Sequence, residues 1–292
     1  MDDIRQSAIE RFRAYLERRQ FSGHTLTSYT LDLHLFFTTV TVLLAQVSFR
    51  EVDHFVEHQH QQGRAWATIN RRLNALKHFF DFCLEQQVVA GNPVKPSHFV
   101  RRGRPLPKAL SREQVQRLFR QIDHPMDRAL FLVMLRCGLR VSEVAKLKLE
   151  QIDWEQQALH IVQGKGRKDR RVYMSPDAVA SLQQCLAQHP GAQAQGYVFW
   201  NRKRAQQPLS VKAIQKKMER YAKTAGVTAS CHSLRHTFAS NLLEHGAEVV
   251  AIRDFLGHSQ IASSARYAKV SSQKVKQEYR QTMQKILKQG QV

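Results

Sequence analysis

The chain has 292 residues, with 45 Lys+Arg against 24 Asp+Glu and a formal net charge of +21. That length predicts about two domains, each able to bury its own core, and an apolar content of 42% excludes a disordered basic tail. The charge excess points to a polyanionic partner, nucleic acid above all, because each phosphate neutralised by Lys or Arg releases condensed counterions; charge that serves only solubility is the alternative.

The chain opens on Met1-Asp2-Asp3, with no basic-then-apolar secretory signal after it. Four helices are expected over residues 1–90. Ile4 to Arg19 places Ile9, Phe12 and Leu16 on one face, and Thr25 to about Val40 places Tyr29, Leu33, Phe36 and Phe37 in register. Its continuation, about Leu35 to Val47, is the longest apolar stretch, broken by threonines and too short to cross a bilayer. Phe49 to Gln62 is a shorter helix. Its His54, His58 and His60 fit a solvated face. Ala67 to about Gln87 has an apolar stripe of Ile69, Leu73, Leu76, Phe80, Cys83 and Leu84. Its opposite face carries Asn70, Arg71, Asn74, Lys77 and His78. Amides that read base edges and cations that hold phosphates suit a helix lying in a DNA groove, and a solvated face is the bland alternative.

Residues 91–108 differ in composition, with four prolines, two glycines and five Lys/Arg. They read as a semi-extended basic linker, with Arg101, Arg102 and Arg104 expected against DNA. Residues 109–292 form the second domain. Ser111 and Gln114 have capping-box spacing before a helix to about Ile122, and Pro125 starts an apolar helix through Leu135. Gly138 breaks that pattern and Ser142 starts another helix. Ala158 to Val162 and Arg171 to Met174 have β character around the Gly164-Lys165-Gly166 loop, which predicts a hairpin. Helices follow at Asp177 to Gln188, Ser210 to Ala225, around His236 to Gly246, and Val249 to Leu256. A tail helix of about 272–288 carries Val275, Tyr279, Met283 and Ile286 on one stripe. Cys83, Cys137, Cys185 and Cys231 stand far apart with no C-x-x-C pair, which fits a reducing, cytoplasmic location.

The second half also holds an ordered set of phosphate-handling residues. Cleaving a phosphodiester without metal needs fixed cations at the non-bridging oxygens, and a guanidinium matches two of them as a fork. Arg140 and Arg235 are the candidates, Arg140 at a helix start where backbone N–H groups also face an anion. Lys165, between two glycines at the hairpin tip, can protonate the departing 5′-oxygen, and Lys168 is its rival. His232 and His258 can hydrogen-bond the phosphate and shuttle protons. Tyr267 is left as nucleophile, and a phosphotyrosyl bond conserves the energy for religation. His232 and His236 at i,i+4 could instead be half of a zinc site, the lesser of the two readings, so no metal and no cofactor are expected.

Five stretches carry a family resemblance: Cys137-Gly-Leu-Arg140-Val-Ser-Glu143, the run from Gly164 to Val172, His232-Ser-Leu-Arg235-His236, Leu256-Gly-His258 and Tyr267. The chain resembles the tyrosine recombinases of the phage integrase family over nearly its whole length. The resemblance implies that Arg140 and Arg235 clamp the scissile phosphate, Lys165 is the general acid, His232 and His258 assist, and Tyr267 attacks. Glu143 would orient Arg140 or its helix, and Arg167, Lys168 and Arg170 would contact DNA. It further implies a mainly α fold with a small antiparallel β-sheet, in which a SAM-like core-binding domain and a catalytic domain close a C-shaped clamp on double-stranded DNA. The family joins paired core sites as a homo-tetramer, or with a related recombinase as partner, through a 3′-phosphotyrosyl intermediate and a Holliday junction. With helical sequence from about Ile4, the chain looks closer to Xer-like and transposon-borne members than to those with an arm-binding domain. Two departures stand out: Cys231 replaces a frequent proline, and Ala268-Lys269 replaces a frequent Thr-His. In this family the tail helix often docks on the next protomer, and packing on its own domain is the alternative. Rival functions are a catalytically dead architectural protein, a topoisomerase-like relaxing enzyme and a metal-dependent nuclease.

Overall fold

The computed structural model describes residues 3–100, 109–162, 169–188, 196–201, 203–256 and 272–288. The chain divides into two compact units, Met1–Arg104 and Pro105–Val292.

The first unit is helical: α1 (Asp3–Arg18), α2 (Gly23–Thr39), α3 (Phe49–Gln61) and α4 (Trp66–Glu85). Local sequence sets the helix starts. The Ser22 hydroxyl accepts the Thr25 N–H at 3.1 Å before α2, and Ser48 with Glu51 forms a capping box before α3. The apolar stripes then meet around a phenylalanine cluster of Phe12, Phe36, Phe37, Phe55, Phe79 and Phe80, all buried. Phe36 and Phe55 pack edge to face with ring centroids 5.2 Å apart, and burying each such ring is worth about 1.5–3 kcal/mol. Buried Arg5 donates to the carbonyls of Thr41 and Val42 just past α2, satisfying acceptors that the turn leaves without helical partners. The three histidines of α3 stay near its surface, where His60 stacks on Trp66 at 4.6 Å.

In the second unit, α5 (Arg112–Arg120) follows the expected Ser111 cap, and α6 (Pro125–Cys137) is buried along nearly its whole length. A helix that is apolar on nearly all sides has to be surrounded. α8 (Pro176–Leu186) and α10 (Cys231–Glu244) both pack on it. Its one buried carboxylate, Asp127, accepts from Lys217 Nζ at 2.8 Å and Tyr221 Oη at 2.9 Å, both on α9 (Val211–Thr224). Between α6 and α8 lie the short α7 (Val141–Lys146) and a three-stranded antiparallel sheet. Its strands are β1 (Ile152–Asp153), β2 (Ala158–Ile161) and β3 (Arg170–Tyr173), with Ile161 opposite Arg170. The expected hairpin is therefore β2–β3, and its predicted tip lies outside the described residues.

Two features differ from the sequence expectation, and α12 takes one of the two alternatives left open. β1 and the second small sheet, β4 (Trp200–Asn201) with β5 (Arg204–Pro208), were not anticipated, because two-residue strands and a polar run carry no alternation to read. α10 begins at Cys231, five residues before the expected start, so the H-x-x-R motif rides on its first turns. Its signal is a cap of Ser230 with Ser233, weaker than the usual Ser with Glu or Gln. Finally, α12 (Ser272–Lys288) packs on its own catalytic unit: Tyr279, Met283 and Ile286 join that core, and Tyr279 Oη donates to the Arg136 carbonyl at 3.0 Å. The side chain of Val275 lies outside the described residues.

All four cysteines are free and buried, and burial pushes the Cys231 thiol up to about 11. Among the described residues no helix is long and apolar enough to cross a membrane.

α6 ends at Gly138, whose φ of +65° is the left-handed cap conformation. A Cβ there would stand 2.4 Å from a ring carbon of Phe238 and 3.2 Å from a methyl of Leu256, so this glycine also lets α10 and α11 (Val249–Leu256) close on the turn before Arg140. Gly138→Ala is expected to lose about 2–4 kcal/mol in urea unfolding, from backbone strain and overpacking together. A loss below about 1 kcal/mol would mean that Phe238 can move aside.

Candidate active site

The site grows from the turn after Gly138. Arg140 caps α7, and Glu143, one helical turn on, accepts the Arg140 backbone N–H at 2.7 Å. That bond satisfies a helix-start donor and fixes the carboxylate beside the guanidinium of Arg140, whose Nη1 donates to Glu143 Oε1 at 2.7 Å. From β3, Arg170 donates through both terminal nitrogens to the two Glu143 oxygens, each at 2.8 Å. From α10, Arg235 Nη1 lies 3.9 Å from Glu143 Oε2. Three arginines from three elements thus share one buried carboxylate.

Arg235 is held as firmly at its other contacts. It is 4% exposed. Its guanidinium donates to the carbonyl of Gly138 and to that of Leu256, at the end of α11. The neighbouring carbonyl, Phe255 O, accepts Arg170 Nε at 2.8 Å. The turn before Arg140, the end of α11, α10 and β3 are therefore joined in one polar network.

Burial and neighbouring charge shift the ionisation of its members. Burial opposes ionisation of Glu143, but hydrogen bonds and charge from Arg170, followed by hydrogen bonds from Arg140, outweigh it and hold the carboxyl below its ordinary value of 4.5. Burial, then repulsion from Arg140, push Arg235 down to about 9, against the attraction of Glu143. A positive group held under such stress gains from any anion brought in front of it. A phosphate ester is such an anion, and the planar forks suit its oxygens.

His232 lies three residues before Arg235, on the same side of α10 and exposed. His236 packs edge-on against it with ring centroids 4.2 Å apart. Burial, then the neighbouring His232 and Arg235, lower the pKa of His236, which favours its neutral form at pH 7. Among the described residues no group of three or more His, Cys, Asp or Glu gathers into a metal-binding set.

The structure thus brings Arg140, Arg235 and His232 into one region, with Glu143 at its centre. Lys165, His258 and Tyr267 lie outside the described residues.

The expected DNA contacts divide. Asn74 is exposed on α4. Arg71 and Lys77 are also solvent-facing but paired, Arg71 with buried Asp32 and Lys77 with Asp81 at 2.9 Å. Asn70 uses its amide on the backbone of Val100, donating at 2.9 Å and accepting at 3.2 Å, and so anchors the chain end of its own unit. Arg101, Arg102, Arg104, Arg167 and Lys168 lie outside the described residues. Arg170 faces inward: its side chain is 9% exposed and its terminal nitrogens are held by Glu143. Strand alternation could have shown this, since Arg170 shares a face with fully buried Val172.

Residues 108–274 match the phage integrase family, and residues 9–87 match the phage integrase N-terminal SAM-like domain. The chain belongs to the phage integrase family. Site-specific recombination by tyrosine transesterification is the function of that family, and relatives of the whole chain carry the name. Tyrosine recombinase XerA of Thermococcus kodakarensis is 32% identical over 266 residues, covering 90% of each chain. Tyrosine recombinase XerC of Lacticaseibacillus casei is 31% identical, covering 93% of this chain and 96% of its own. The fold is similar to that of the Tn1549 transposon integrase, solved in complex with circular intermediate DNA. The TM-score is 0.73 at 17% identity, over 92% of this chain and 98% of that one.

Among the described residues of this integrase-family site, Glu143 is the carboxylate on which Arg140, Arg170 and Arg235 converge. Glu143→Gln should cost about 3 kcal/mol at pH 7, since it strands buried guanidinium charge. The folded carboxyl titrates below its unfolded value, so its stabilisation is full above about pH 4.5 and is lost as pH falls through the depressed folded value. The gap between wild type and variant in urea unfolding should therefore narrow below pH 4.5. A gap that stays constant with pH would show that the charge is not its source.

Proposed function

We propose that this chain cleaves and rejoins double-stranded DNA at paired core sites by metal-independent transesterification, with Tyr267 as nucleophile. The phenolic oxygen attacks the scissile phosphorus, the bond to the 5′-oxygen breaks, and Lys165 supplies the proton that the leaving 5′-hydroxyl needs. The product is a 3′-phosphotyrosyl bond. Attack on it by the 5′-hydroxyl of the partner strand releases Tyr267 and gives a Holliday junction. Arg140 and Arg235 bind the non-bridging oxygens, whose charge rises in transit, and His232 and His258 hydrogen-bond the same phosphate.

The observation that supports this reading is the convergence of Arg140 and Arg235 on Glu143, with His232 one turn from Arg235. Guanidinia gathered around one carboxylate present planar N–H donors of the kind that phosphate oxygens accept. Proton transfer is shared among Lys165, His232 and His258 in this scheme. The working assembly is a homo-tetramer, or a tetramer with a related recombinase, closed as a clamp on DNA in the cytoplasm. The exposed face of α4 at Arg71, Asn74 and Lys77 lies along the duplex, as does the basic stretch with Arg101, Arg102 and Arg104.

The decisive test uses a duplex carrying the chain's own target, nicked so that a short fragment diffuses away after cleavage. Wild type should accumulate a covalent protein–DNA species in EDTA, and Tyr267→Phe should form none. Failure of wild type to trap its cognate site would leave a DNA-binding protein without chemistry, and strict dependence on Mg²⁺ would sink the mechanism. Strand exchange that needs two sites separates a recombinase from a relaxing enzyme.

For the helical unit, binding should weaken steeply with salt. Lys77→Ala is expected to reduce the log–log salt slope by about 1. An unchanged slope would remove Lys77 from the phosphate contacts.

A further inference from the structure

The polar network around Glu143 contains one member that the phosphate chemistry does not use. Arg170 is inward-facing, sits on β3, and has all three of its guanidinium nitrogens engaged. A buried ion pair alone would be a structural feature. Two details make this one more than that. First, Arg170 grips both oxygens of Glu143, the carboxylate that Arg140 also contacts and that Arg235 approaches, so its fork sets the plane in which the other two guanidinia are held. Second, its Nε reaches the carbonyl of Phe255 while Arg235 reaches the next carbonyl, Leu256. The contacts close a ring: Arg170 to Glu143, Glu143 to Arg235, Arg235 to Leu256 O, and one peptide back to Phe255 O and Arg170.

We propose that Arg170 is a positioning residue for DNA cleavage, which holds Arg140 and Arg235 at the separation that matches the two non-bridging oxygens of the scissile phosphate. It touches neither substrate nor reacting atom, and it acts through Glu143 and the end of α11. This proposal rests on the reading of Arg140 and Arg235 as the phosphate clamp.

A ring closed by a planar fork has a consequence that a simple charge pair lacks. Lysine keeps the positive charge beside Glu143, but it cannot bond both carboxylate oxygens in one plane and also reach Phe255 O. The carboxylate is then free to tilt toward Arg140 or Arg235, and the spacing of the clamp is lost while its charge is kept. Misplacement of a catalytic group by about 1 Å can lower a rate about 10²-fold.

The test compares Arg170→Lys with wild type in single-turnover cleavage at saturating DNA. It uses two nicked substrates, one with the natural phosphodiester and one with a methylphosphonate at the scissile position. The methylphosphonate has a methyl in place of one charged oxygen, so it needs less from the paired clamp. On the phosphodiester Arg170→Lys should cleave about 10²-fold more slowly, with DNA affinity within about 3-fold of wild type, since a residue that acts only in the transition state leaves ground-state binding unchanged. On the methylphosphonate the gap should close substantially. Arg171→Lys, which alters the neighbouring exposed pair with Asp153, should cleave as wild type on both substrates.

Equal slowing on both substrates, or no slowing on either, overturns the proposal and leaves Arg170 a structural ion pair. Arg170→Gln, which removes the charge and the fork with a shorter side chain, supplies a second comparison on the same two substrates should the lysine variant fold poorly. Wild type run beside Tyr267→Phe keeps the two levels apart. Absence of any tyrosine-linked product from wild type contradicts the recombinase reading itself, whereas normal wild-type trapping with an indifferent Arg170→Lys contradicts only the positioning role.

Discussion

The carboxylate of Glu143 is the constraint on which the catalytic unit turns. A buried anion is expensive unless hydrogen bonds meet it, and here the Arg140 backbone, the Arg140 side chain and the fork of Arg170 do so. They come from two parts of the chain, and Arg235 approaches from a third. α7 has to start at Arg140, β3 has to bring Arg170 inward, and α10 has to present Arg235 close by. The fold therefore cannot satisfy Glu143 without also gathering the arginines that can hold a phosphate. Stability and preorganisation come from the same contacts.

The surrounding core makes that gathering rigid. α6 is apolar along nearly all of its surface and is packed by α8 and α10, so its C-terminal turn has little freedom. Gly138 ends it in a left-handed conformation with no room for a side chain beneath Phe238 and Leu256. The same turn offers its carbonyl to Arg235. A backbone feature of one residue thus sets where a helix ends, how closely α10 and α11 approach, and where one arm of the clamp is anchored. α12 adds Tyr279, Met283 and Ile286 to this core, so the tail helix belongs to the packing of its own domain in this structure.

The two units use charge in opposite ways. In the helical unit, Asp32 and Asp81 tie down Arg71 and Lys77 at the surface, and the core beneath is almost purely aromatic and aliphatic. Of these, the Lys77–Asp81 pair is exposed on both sides and contributes little to stability, whereas Asp32 is buried beneath Arg71. In the catalytic unit the charges are inside, and burial makes each of them dependent on its neighbours, as the lowered pKa of Arg235 shows.

Much of this was legible in the residues. The 3.6-residue periodicity located most of the helices, the Ser111 and Gly138 signals marked helix ends, and the ordered motifs singled out Arg140, Glu143 and Arg235, which the fold brings together. These are local or pattern-borne properties, and a chain carries them whatever its neighbours do. What depended on tertiary structure was the direction of each side chain. Arg170 reads as one more cation in a basic run, yet packing turns it inward to Glu143. Asn70 reads as a base-reading amide, yet it binds the backbone of Val100. The short strands β1, β4 and β5 and the early start of α10 also escaped a sequence reading, since two-residue pairings and a serine-only cap carry almost no pattern. Sequence determined which chemical groups this protein has and on which elements they ride. Only the fold decided which of them gather around Glu143 and which turn to other partners, because burial and hydrogen-bond partners come from residues far apart in the chain.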